Sequence, residues 1–203
     1  MKSCEAKQRR MNIRKAGSTR GWAKLALMSL CLYAFAAQAA DAPRDADEHF
    51  FQDTFGNFSE ELALAREQGK RGILIFFELV ECPFCHRMRQ TVLNRPEVQN
   101  WYRERFLIFA VDIEGETEVT DFQGTTMTAK DFAFRVNRVR ATPVFIFYDL
   151  QGTPLVRYTG VTRDADEFLW LGEFVADKHY QNTKFTRFKR AKLAERKPSQ
   201  LTQ

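Results

Sequence analysis

Two cysteines with two residues between them follow closely on a hydrophobic run, and this arrangement constrains the fold more than any other feature. The run occupies residues 72–77, and the motif is Cys82-Pro83-Phe84-Cys85. A Cys-x-x-Cys motif that ends a strand and opens a helix is typical of a dithiol–disulfide couple. The start of a helix favours an anion, so Cys82 is predicted to be the reactive thiolate. Cys85, one turn inside the helix, is then placed to resolve a mixed disulfide.

A Thr-Pro pair precedes a second hydrophobic run and is predicted to supply the other half of the same site. The pair is Thr142-Pro143, and the run occupies residues 144–148. Short apolar runs of this kind are typical of strands that are buried on both faces. The two runs and the two motifs together predict a site that moves electrons between thiols.

The first 39 residues have the three parts of a secretory signal peptide. Eight Lys or Arg side chains precede an uncharged stretch of 16 residues, 25–40, and a small-residue cleavage pattern ends at Ala39. Because a membrane-spanning helix needs about 20 residues, we expect cleavage near Ala39 and a periplasmic or otherwise secreted protein. An N-terminal membrane anchor is the alternative, and Met11 is an alternative to Met1 as the start.

The net charge depends on whether that leader is counted. The whole chain carries a formal charge of +5, with 31 Lys and Arg against 26 Asp and Glu. The leader holds eight of the basic and one of the acidic side chains, so the remaining chain carries −2. A nucleic-acid partner is therefore not expected, because a strongly basic surface is what attracts nucleic acid.

Residues 40–183 form the predicted domain, and residues 184–203 form a basic C-terminal tail. Residues 184–197 hold seven Lys or Arg and one Glu, which leaves residues 40–183 with a charge of −8. Charge runs at chain ends are often frayed and solvated. The alternative is electrostatic docking to an acidic partner or to anionic lipid. In either case Phe185 and Phe188 are expected to pack on the domain, since exposed phenylalanines are costly.

Cysteine usage indicates redox chemistry rather than a structural bridge or a metal site. The other two cysteines of the chain lie in the leader. The remaining pair closes a loop too small to stabilise the fold appreciably. A zinc site needs about four ligands, and the histidines that could complete one are His49, His86 and His179. We therefore expect no metal, and no cofactor other than the Cys82–Cys85 disulfide.

Hydrophobic periodicity predicts the order β-α-β-α-β-β-α behind one N-terminal helix, and hence an α/β fold whose mixed central sheet has helices on both faces. The N-terminal helix opens at residues 57–61 with Ser59 as its N-cap, and residues 62–65 give its apolar face. The run at 106–111 predicts a central strand. Residues 114–128 lack a clear period and predict an insertion, a small hairpin, before the helix that leads to the Thr-Pro pair.

Four further local expectations follow from turn and capping signals. They are a redox helix over residues 82–93, a helix over residues 129–138 that Thr128 caps and that buries Phe132, Phe134 or Val136, a hairpin turn at residues 149–152, and a last core helix from Asp164.

The order of elements, the Cys-Pro-Phe-Cys motif at 82–85 and the Thr-Pro pair at 142–143 resemble the thioredoxin superfamily over residues 51–180. More narrowly, the chain resembles the secreted SoxW-like branch. That likeness rests on the same motif, on Val-Thr-Asp-Phe-Gln-Gly at 119–124 and on the aromatic-rich residues 180–188. The fold that the resemblance implies is a thioredoxin-like mixed sheet flanked by helices.

The resemblance also implies how the site is built. Pro143 is expected to be cis and to face the disulfide, and Thr142 to offer backbone groups that pair with an extended substrate segment. Pro83 and Phe84 are expected to complete the substrate-binding surface. This pair resembles those of glutaredoxins and of some periplasmic oxidases, and it leaves open whether the protein reduces or oxidises its partners.

One position departs from the superfamily pattern. The superfamily places a buried Asp six residues before the first cysteine, where it helps to shuttle the proton of the resolving thiol, and here that residue is Phe76. Glu78 and Glu81 are the nearest carboxylates. Glu78 is therefore a candidate for proton transfer, against its interpretation as a solvated residue. His86 is either a cation that steadies the Cys82 thiolate or a surface histidine.

The predicted function is that of an exported thiol–disulfide oxidoreductase of the reducing kind. Cys82 attacks, Cys85 resolves, and Thr142 and Pro143 hold the substrate backbone. The expected partners are protein thiols and disulfides, a membrane electron donor and, by resemblance to the SoxW-like branch, proteins of sulfur oxidation. The alternative is a non-catalytic binding module with a thioredoxin fold, or a metal chaperone.

Overall fold

The computed structural model describes residues 42–199, with side chains described through residue 196. The predicted signal peptide, its cleavage site near Ala39 and the alternative membrane anchor fall outside these residues. Within residues 42–199, no helix combines the length and the apolar character that crossing a membrane requires.

The described residues alternate between helices and strands. The strands are β1 (Gly72–Glu78), β2 (Phe106–Asp112), β3 (Glu118–Thr120), β4 (Thr126–Thr128), β5 (Val144–Tyr148) and β6 (Pro154–Thr159). The helices are α1 (Ala46–His49), α2 (Phe58–Glu67), α3 (Pro83–Met88), α4 (Pro96–Arg105), α5 (Ala129–Asp131), α6 (Ala165–Ala176) and α7 (Phe185–Ser199). Helix α3 continues as a π-helical turn (Arg89–Leu93), α5 does the same (Phe132–Val136), and a 3-10 turn (His179–Gln181) follows α6.

The central sheet is four-stranded and mixed, with the strand order β2-β1-β5-β6. Strands β1 and β2 are parallel, from Gly72 opposite Phe106 to Glu78 opposite Asp112. Strand β5 is antiparallel to both β1 and β6. The parallel pair needs a crossover connection, which α3 and α4 supply, whereas β5 and β6 are joined by the predicted hairpin turn.

The core lies on both faces of this sheet because successive side chains of β1 point to opposite faces. Leu74 and Phe76 pack in one cluster, which also contains both cysteines of the motif. Ile73, Ile75 and Phe77 pack in a second cluster on the other face. The predicted mixed sheet with helices on both faces is confirmed.

Strand β2 lies at an edge of the sheet, so its prediction as a central strand was wrong. The chain before α2 covers that edge. The backbone N–H of Gln52 donates to the carbonyl of Ile108 at 2.9 Å, and the N–H of Ile108 donates to Gln52 Oε1 at 2.6 Å. An edge strand that is covered in this way is as buried as a central one, and therefore has the same apolar composition.

The insertion forms the predicted hairpin, with β3 antiparallel to β4. Asp121 closes its turn, because Oδ1 accepts the backbone N–H groups of Gln123 at 2.9 Å and Thr125 at 2.8 Å. The N–H of Thr120 donates to the carbonyl of Gly56 at 2.8 Å, which attaches the hairpin to the segment before α2.

Capping residues set the starts of three helices. Asn57, and not Ser59, caps α2, because Oδ1 of Asn57 accepts the backbone N–H of Glu60 at 3.4 Å. The helix therefore starts earlier than predicted, with Phe58 as its first residue. Thr128 caps α5 and Asp164 caps α6, as predicted. Of the three apolar candidates that follow Thr128, Phe132 is the fully buried one.

The apolar face of α2 is narrower than predicted. Leu62 and Ala65 are buried, whereas Ala63 is exposed and Leu64 is 39% exposed. Residues three or four apart share one face of a helix, and adjacent residues do not. Two of the four residues in the predicted apolar face, 62–65, therefore pack in the core.

Within the basic C-terminal segment, helix α7 extends over Phe185–Ser199, so the prediction of a frayed, solvated extension was wrong for these residues. Phe185 and Phe188 pack against Phe174 of α6, and each ring centroid lies 5.5 Å from that of Phe174. Their predicted packing on the domain is confirmed.

Ion pairs between α6 and α7 add to this contact. Lys189 Nζ lies 2.8 Å from Oε1 of Glu167, whose side chain is 5% exposed. Two further pairs, Lys192–Glu173 at 2.5 Å and Arg196–Asp166 at 2.6 Å, lie along the same contact. Three of the charges that suggested a solvated tail therefore find acidic partners on α6.

Candidate active site

Cys82 and Cys85 form a disulfide at the N-terminus of α3, with their Cα atoms 5.2 Å apart. Cys82 is the N-cap, and its Sγ accepts the backbone N–H of Cys85 at 3.1 Å. Pro83 occupies the first helical position, where its missing N–H would have had no partner within the helix. One N–H group and the helix dipole thus favour a negative charge on the Cys82 sulfur after reduction.

The two cysteines differ in exposure, although both are buried. Cys82 is 6% exposed and Cys85 is 1% exposed. The exposed apolar side chains beside them are Val80 at 70% and Phe84 at 59%. Cys82 is therefore the more accessible of the two cysteines and has exposed apolar side chains close by in the chain, while Cys85 is enclosed.

Thr142 and Pro143 lie at the same end of the sheet as the disulfide. Phe77 of β1 pairs with Val144 of β5. Pro143 therefore lies next to the end of β1, where the redox loop (residues 79–82) begins. The Thr142–Pro143 peptide bond is cis, as the resemblance implied. Pro143 is buried and its carbonyl accepts the N–H of Gly160 at 2.9 Å, whereas Thr142 is half-buried.

Glu78, the last residue of β1, is held by Arg89 of the redox helix. Arg89 Nε donates to one carboxylate oxygen at 3.0 Å, and Nη2 contacts the other. The same guanidinium contacts Asp47 of α1. It also packs over the rings of Phe51 at 4.6 Å and Phe76 at 5.6 Å. At the position where the superfamily has a buried Asp, this chain thus has Phe76, and the ring of Phe76 packs against the guanidinium that pairs with Glu78.

The surroundings of Arg89 keep it charged. Burial by itself lowers the pKa of Arg89, but the hydrogen bonds and charges of Glu78 and Asp47 outweigh it, so the pKa is raised. Sequence reasoning missed Arg89. Its position four residues after Cys85 could have revealed it, because that spacing puts a charged residue on the buried face of the helix.

His86 lies on the first turn of α3 and is exposed. Its Nε2 lies 2.9 Å from the carbonyl oxygen of Val80. This contact ties the redox helix to the loop that precedes Cys82, and it fits the interpretation of His86 as a surface residue. Its effect on the Cys82 thiolate stays a prediction, as does proton transfer by Glu78.

A cluster of three candidate metal ligands lies elsewhere in the described residues. Glu173, Asp177 and His179 place their ligand atoms within 4.8 Å of one another at the C-terminal end of α6. Glu173 already pairs with Lys192 at 2.5 Å. The cluster contains neither cysteine of the motif and is separate from the disulfide.

A family model for a thioredoxin-like domain matches residues 58–176. No curated protein sequence matches the chain significantly. Among solved structures, a thioredoxin-fold protein from Helicobacter pylori aligns with a TM-score of 0.54 at 23% identity, over 71% of this chain and 89% of that one. A thioredoxin from Thermus thermophilus aligns with a TM-score of 0.43 at 27% identity, over 56% of this chain and 78% of that one. The oxidised C-terminal domain of DsbD from Neisseria meningitidis aligns with a TM-score of 0.44 at 22% identity, over 61% of this chain and 97% of that one.

The likeness to the Helicobacter pylori protein shows a shared fold, in agreement with the mixed sheet described above. The family match extends from the start of α2 to the end of α6 and includes the disulfide and the cis-proline. It does not distinguish the SoxW-like branch, which stays a prediction. Because the match covers more than half of the sequence, the chain belongs to the thioredoxin-like domain family.

Proposed function

We propose that this protein is an exported thiol–disulfide oxidoreductase that reduces disulfides of partner proteins. The observation that carries the proposal is the Cys82–Cys85 disulfide at a helix start, with Cys82 Sγ accepting an amide N–H at 3.1 Å and Cys85 enclosed behind it. A sulfur in that setting is stabilised as a thiolate when the disulfide is opened.

The reaction runs in two exchange steps. The Cys82 thiolate attacks one sulfur of the partner disulfide, forms a mixed disulfide and releases the other partner sulfur as a thiolate. Cys85 then loses its proton, attacks the Cys82 sulfur and releases the second partner sulfur. The partner gains two electrons, and with two protons from solvent it becomes a dithiol. The protein loses two electrons and returns to the Cys82–Cys85 disulfide.

Thr142 and Pro143 are the residues that we propose to position the partner. They precede β5 and lie next to the end of β1, beside the loop that carries Cys82. Val80 and Phe84 add exposed apolar surface. An extended segment of the partner would pair with the backbone at Thr142 and cover these two side chains. Burial of apolar surface would then stabilise the mixed disulfide.

Trapping tests the function directly. Cys85→Ala should accumulate mixed disulfides through Cys82, and Cys82→Ala is the matched control that should accumulate none. The wild-type protein should also gain two protons in mass on mild reduction and should reduce insulin. A protein that holds a metal ion and reduces no disulfide would instead be a metal chaperone or a binding module.

Export, a membrane electron donor and a sulfur-oxidation context belong to the same proposal. The signal-peptide pattern supports export, and the likeness of residues 119–124 and 180–188 to the SoxW-like branch supports a sulfur-carrier or cofactor-bearing partner. Sequencing the N-terminus of the protein recovered from the periplasm tests cleavage near Ala39. An intact leader on a membrane-bound form would favour the anchor.

The outer face of α7 is the surface that we propose for docking of the donor. Lys184, Arg187 and Arg190 are exposed, whereas Lys189 and Lys192 pair with acidic residues of α6. Exposed surface cations accelerate association with acidic partners, and salt weakens the effect. Arg187→Glu with Arg190→Glu should therefore slow re-reduction by the donor at low salt, with insulin reduction unchanged. Equal rates of re-reduction by the donor for the wild-type protein and the double variant, at every ionic strength, would contradict this docking proposal.

A further inference from the structure

Arg89 lies on the redox helix, one turn after the buried Cys85. Side chains four residues apart in a helix share a face, with Cβ atoms about 6 Å apart. Long helical side chains also lean towards the N-terminus of the helix, so the side chain of Arg89 is expected to extend along the turn that contains Cys85. The rings of Phe51 and Phe76, on which this guanidinium rests, belong to the same buried cluster as Cys85.

The charge of Arg89 is matched by a carboxylate that is equally shielded. The side chains of Arg89 and Glu78 are 17% and 16% exposed, whereas that of Asp47 is 73% exposed. Water and salt screen the charge of Asp47, and they screen the Glu78–Arg89 pair much less. The cluster around Cys85 therefore faces two opposite charges that largely cancel.

We propose that Arg89 and Glu78 are positioning residues that set the reduction potential of the Cys82–Cys85 couple. The inference rests on the proposed function and adds to it. The reduced protein carries a thiolate and the disulfide does not, so a nearby positive charge stabilises the reduced form and a negative charge destabilises it. With both present, the two effects offset each other, and the potential depends on the balance between them.

Asp112 of β2 stands opposite Glu78 in the sheet and is half-buried, and its Oδ1 accepts the N–H of Glu114 at 3.0 Å. The remaining charged groups near the redox helix, including Arg87, are exposed or paired. His86 of α3 and Glu81 of the redox loop are exposed. At the start of α6, Asp164 pairs with Arg163 at 2.8 Å, and both side chains are substantially exposed. Solvent screens the exposed groups. Among these groups the Glu78–Arg89 pair is thus the most shielded, and Arg89 lies one helical turn after Cys85.

Single substitutions in the pair should shift the redox equilibrium in opposite directions. Glu78→Gln leaves an uncompensated guanidinium, so the equilibrium constant with glutathione should move about tenfold towards the reduced protein, or about 30 mV for a two-electron couple. The pH at which the thiols become reactive to alkylation should fall. Arg89→Met leaves an uncompensated carboxylate, so both quantities should move the other way. The double variant should return close to wild type.

Shifts of the redox equilibrium constant in opposite directions in the two variants distinguish this role from simple support of the fold. Loss of support would lower the free energy of unfolding in both variants, but it would not move the redox constant in two directions. The Glu173–Lys192 pair on α6 and α7 is the matched control, and Glu173→Gln and Lys192→Met should leave the constant unchanged. Arg89→Lys keeps the charge and should stay within about threefold of wild type.

Shifts of the same sign in the two variants, or shifts below twofold, would overturn the inference. If Arg89→Met does not fold, the direction of the shift in Glu78→Gln tests the inference alone. Loss of a negative charge should shift the redox constant towards the reduced protein, and a shift towards the disulfide would overturn the inference. Failure of the proposed function gives a different result. In that case the wild-type protein would not equilibrate between dithiol and disulfide in glutathione buffers at all.

Discussion

Lys189→Met should destabilise the protein by removing the cation that faces a buried carboxylate. Oε1 of Glu167 accepts from Lys189 Nζ at 2.8 Å. The Tyr158 hydroxyl lies 3.3 Å from the same oxygen, but its single proton is shared with the carbonyl of Val161 at 3.1 Å. Burial, together with the charge and hydrogen bond of Glu167, raises the pKa of Tyr158 to about 12, so the phenol stays protonated and can donate. Without Lys189, that hydroxyl is the one side-chain donor left among the hydrogen bonds described for this carboxylate.

The magnitude follows from the burial of the two partners. Breaking a fully buried ion pair by removing one partner costs about 3–5 kcal/mol. Glu167 is 5% exposed, but Lys189 is 31% exposed and already lies partly in water. We therefore expect a loss of about 2 kcal/mol, below the fully buried range and above the 0–1 kcal/mol of an exposed pair.

Urea unfolding of the oxidised protein measures the effect as a lower midpoint with an unchanged m-value. Lys192→Met is the matched control: its partner Glu173 is 31% exposed, so water can solvate the carboxylate that remains. We expect that control to lose less than about 1 kcal/mol. Glu167→Gln should restore most of the stability of Lys189→Met, because it removes the unpaired charge. Equal losses in the two lysine variants, or no recovery in the double variant, would refute the reasoning.

Four further results are expected. In the reduced protein, iodoacetamide should label Cys82 at lower pH than Cys85, and equal, slow labelling of both would contradict a thiolate at the helix start. Phe84→Ala should weaken partner binding several-fold and change the free energy of unfolding by less than about 0.5 kcal/mol, since the side chain is 59% exposed. Asp164→Ala should cost about 1 kcal/mol at pH 7. Burial raises the pKa of Asp164, but the Glu167 N–H and Arg163 outweigh it, so the pKa is lowered and the difference should disappear as pH falls through that lowered pKa. Ending the chain at Phe188 should lower stability at least as much as Lys189→Met, whereas a frayed tail would be lost without effect.

Elements with a purely local signal could be predicted from the sequence. The capping side chains of Thr128 and Asp164 bond to N–H groups three residues ahead, so a short sequence window contains both partners. The hairpin of residues 118–128 was predicted for the same reason, since its turn is closed by Asp121 within a few residues. Strand β1 could be recognised because burial on both faces makes its run of residues continuously apolar.

Two predictions that depended on distant partners failed. Strand β2 looked central because it is apolar throughout, yet its edge is covered by Gln52, which lies 56 residues before Ile108. The tail looked solvated because its lysines were counted without the acidic residues of α6. Lys189 is 22 residues from Glu167, and no local pattern shows that the two will meet.

The sequence by itself was enough to predict the chemistry that we propose for Cys82. A cysteine at the N-cap of a helix, followed by Pro83 and Cys85, needs its own backbone N–H groups and helix dipole to favour a thiolate. Only the tertiary structure decided what lies behind that sulfur. Arg89 meets Glu78 across 11 residues and Asp47 across 42 residues of the chain. A bare charge is costly to bury, so the guanidinium can pack over the rings of Phe51 and Phe76 only once the fold has brought the two carboxylates to it.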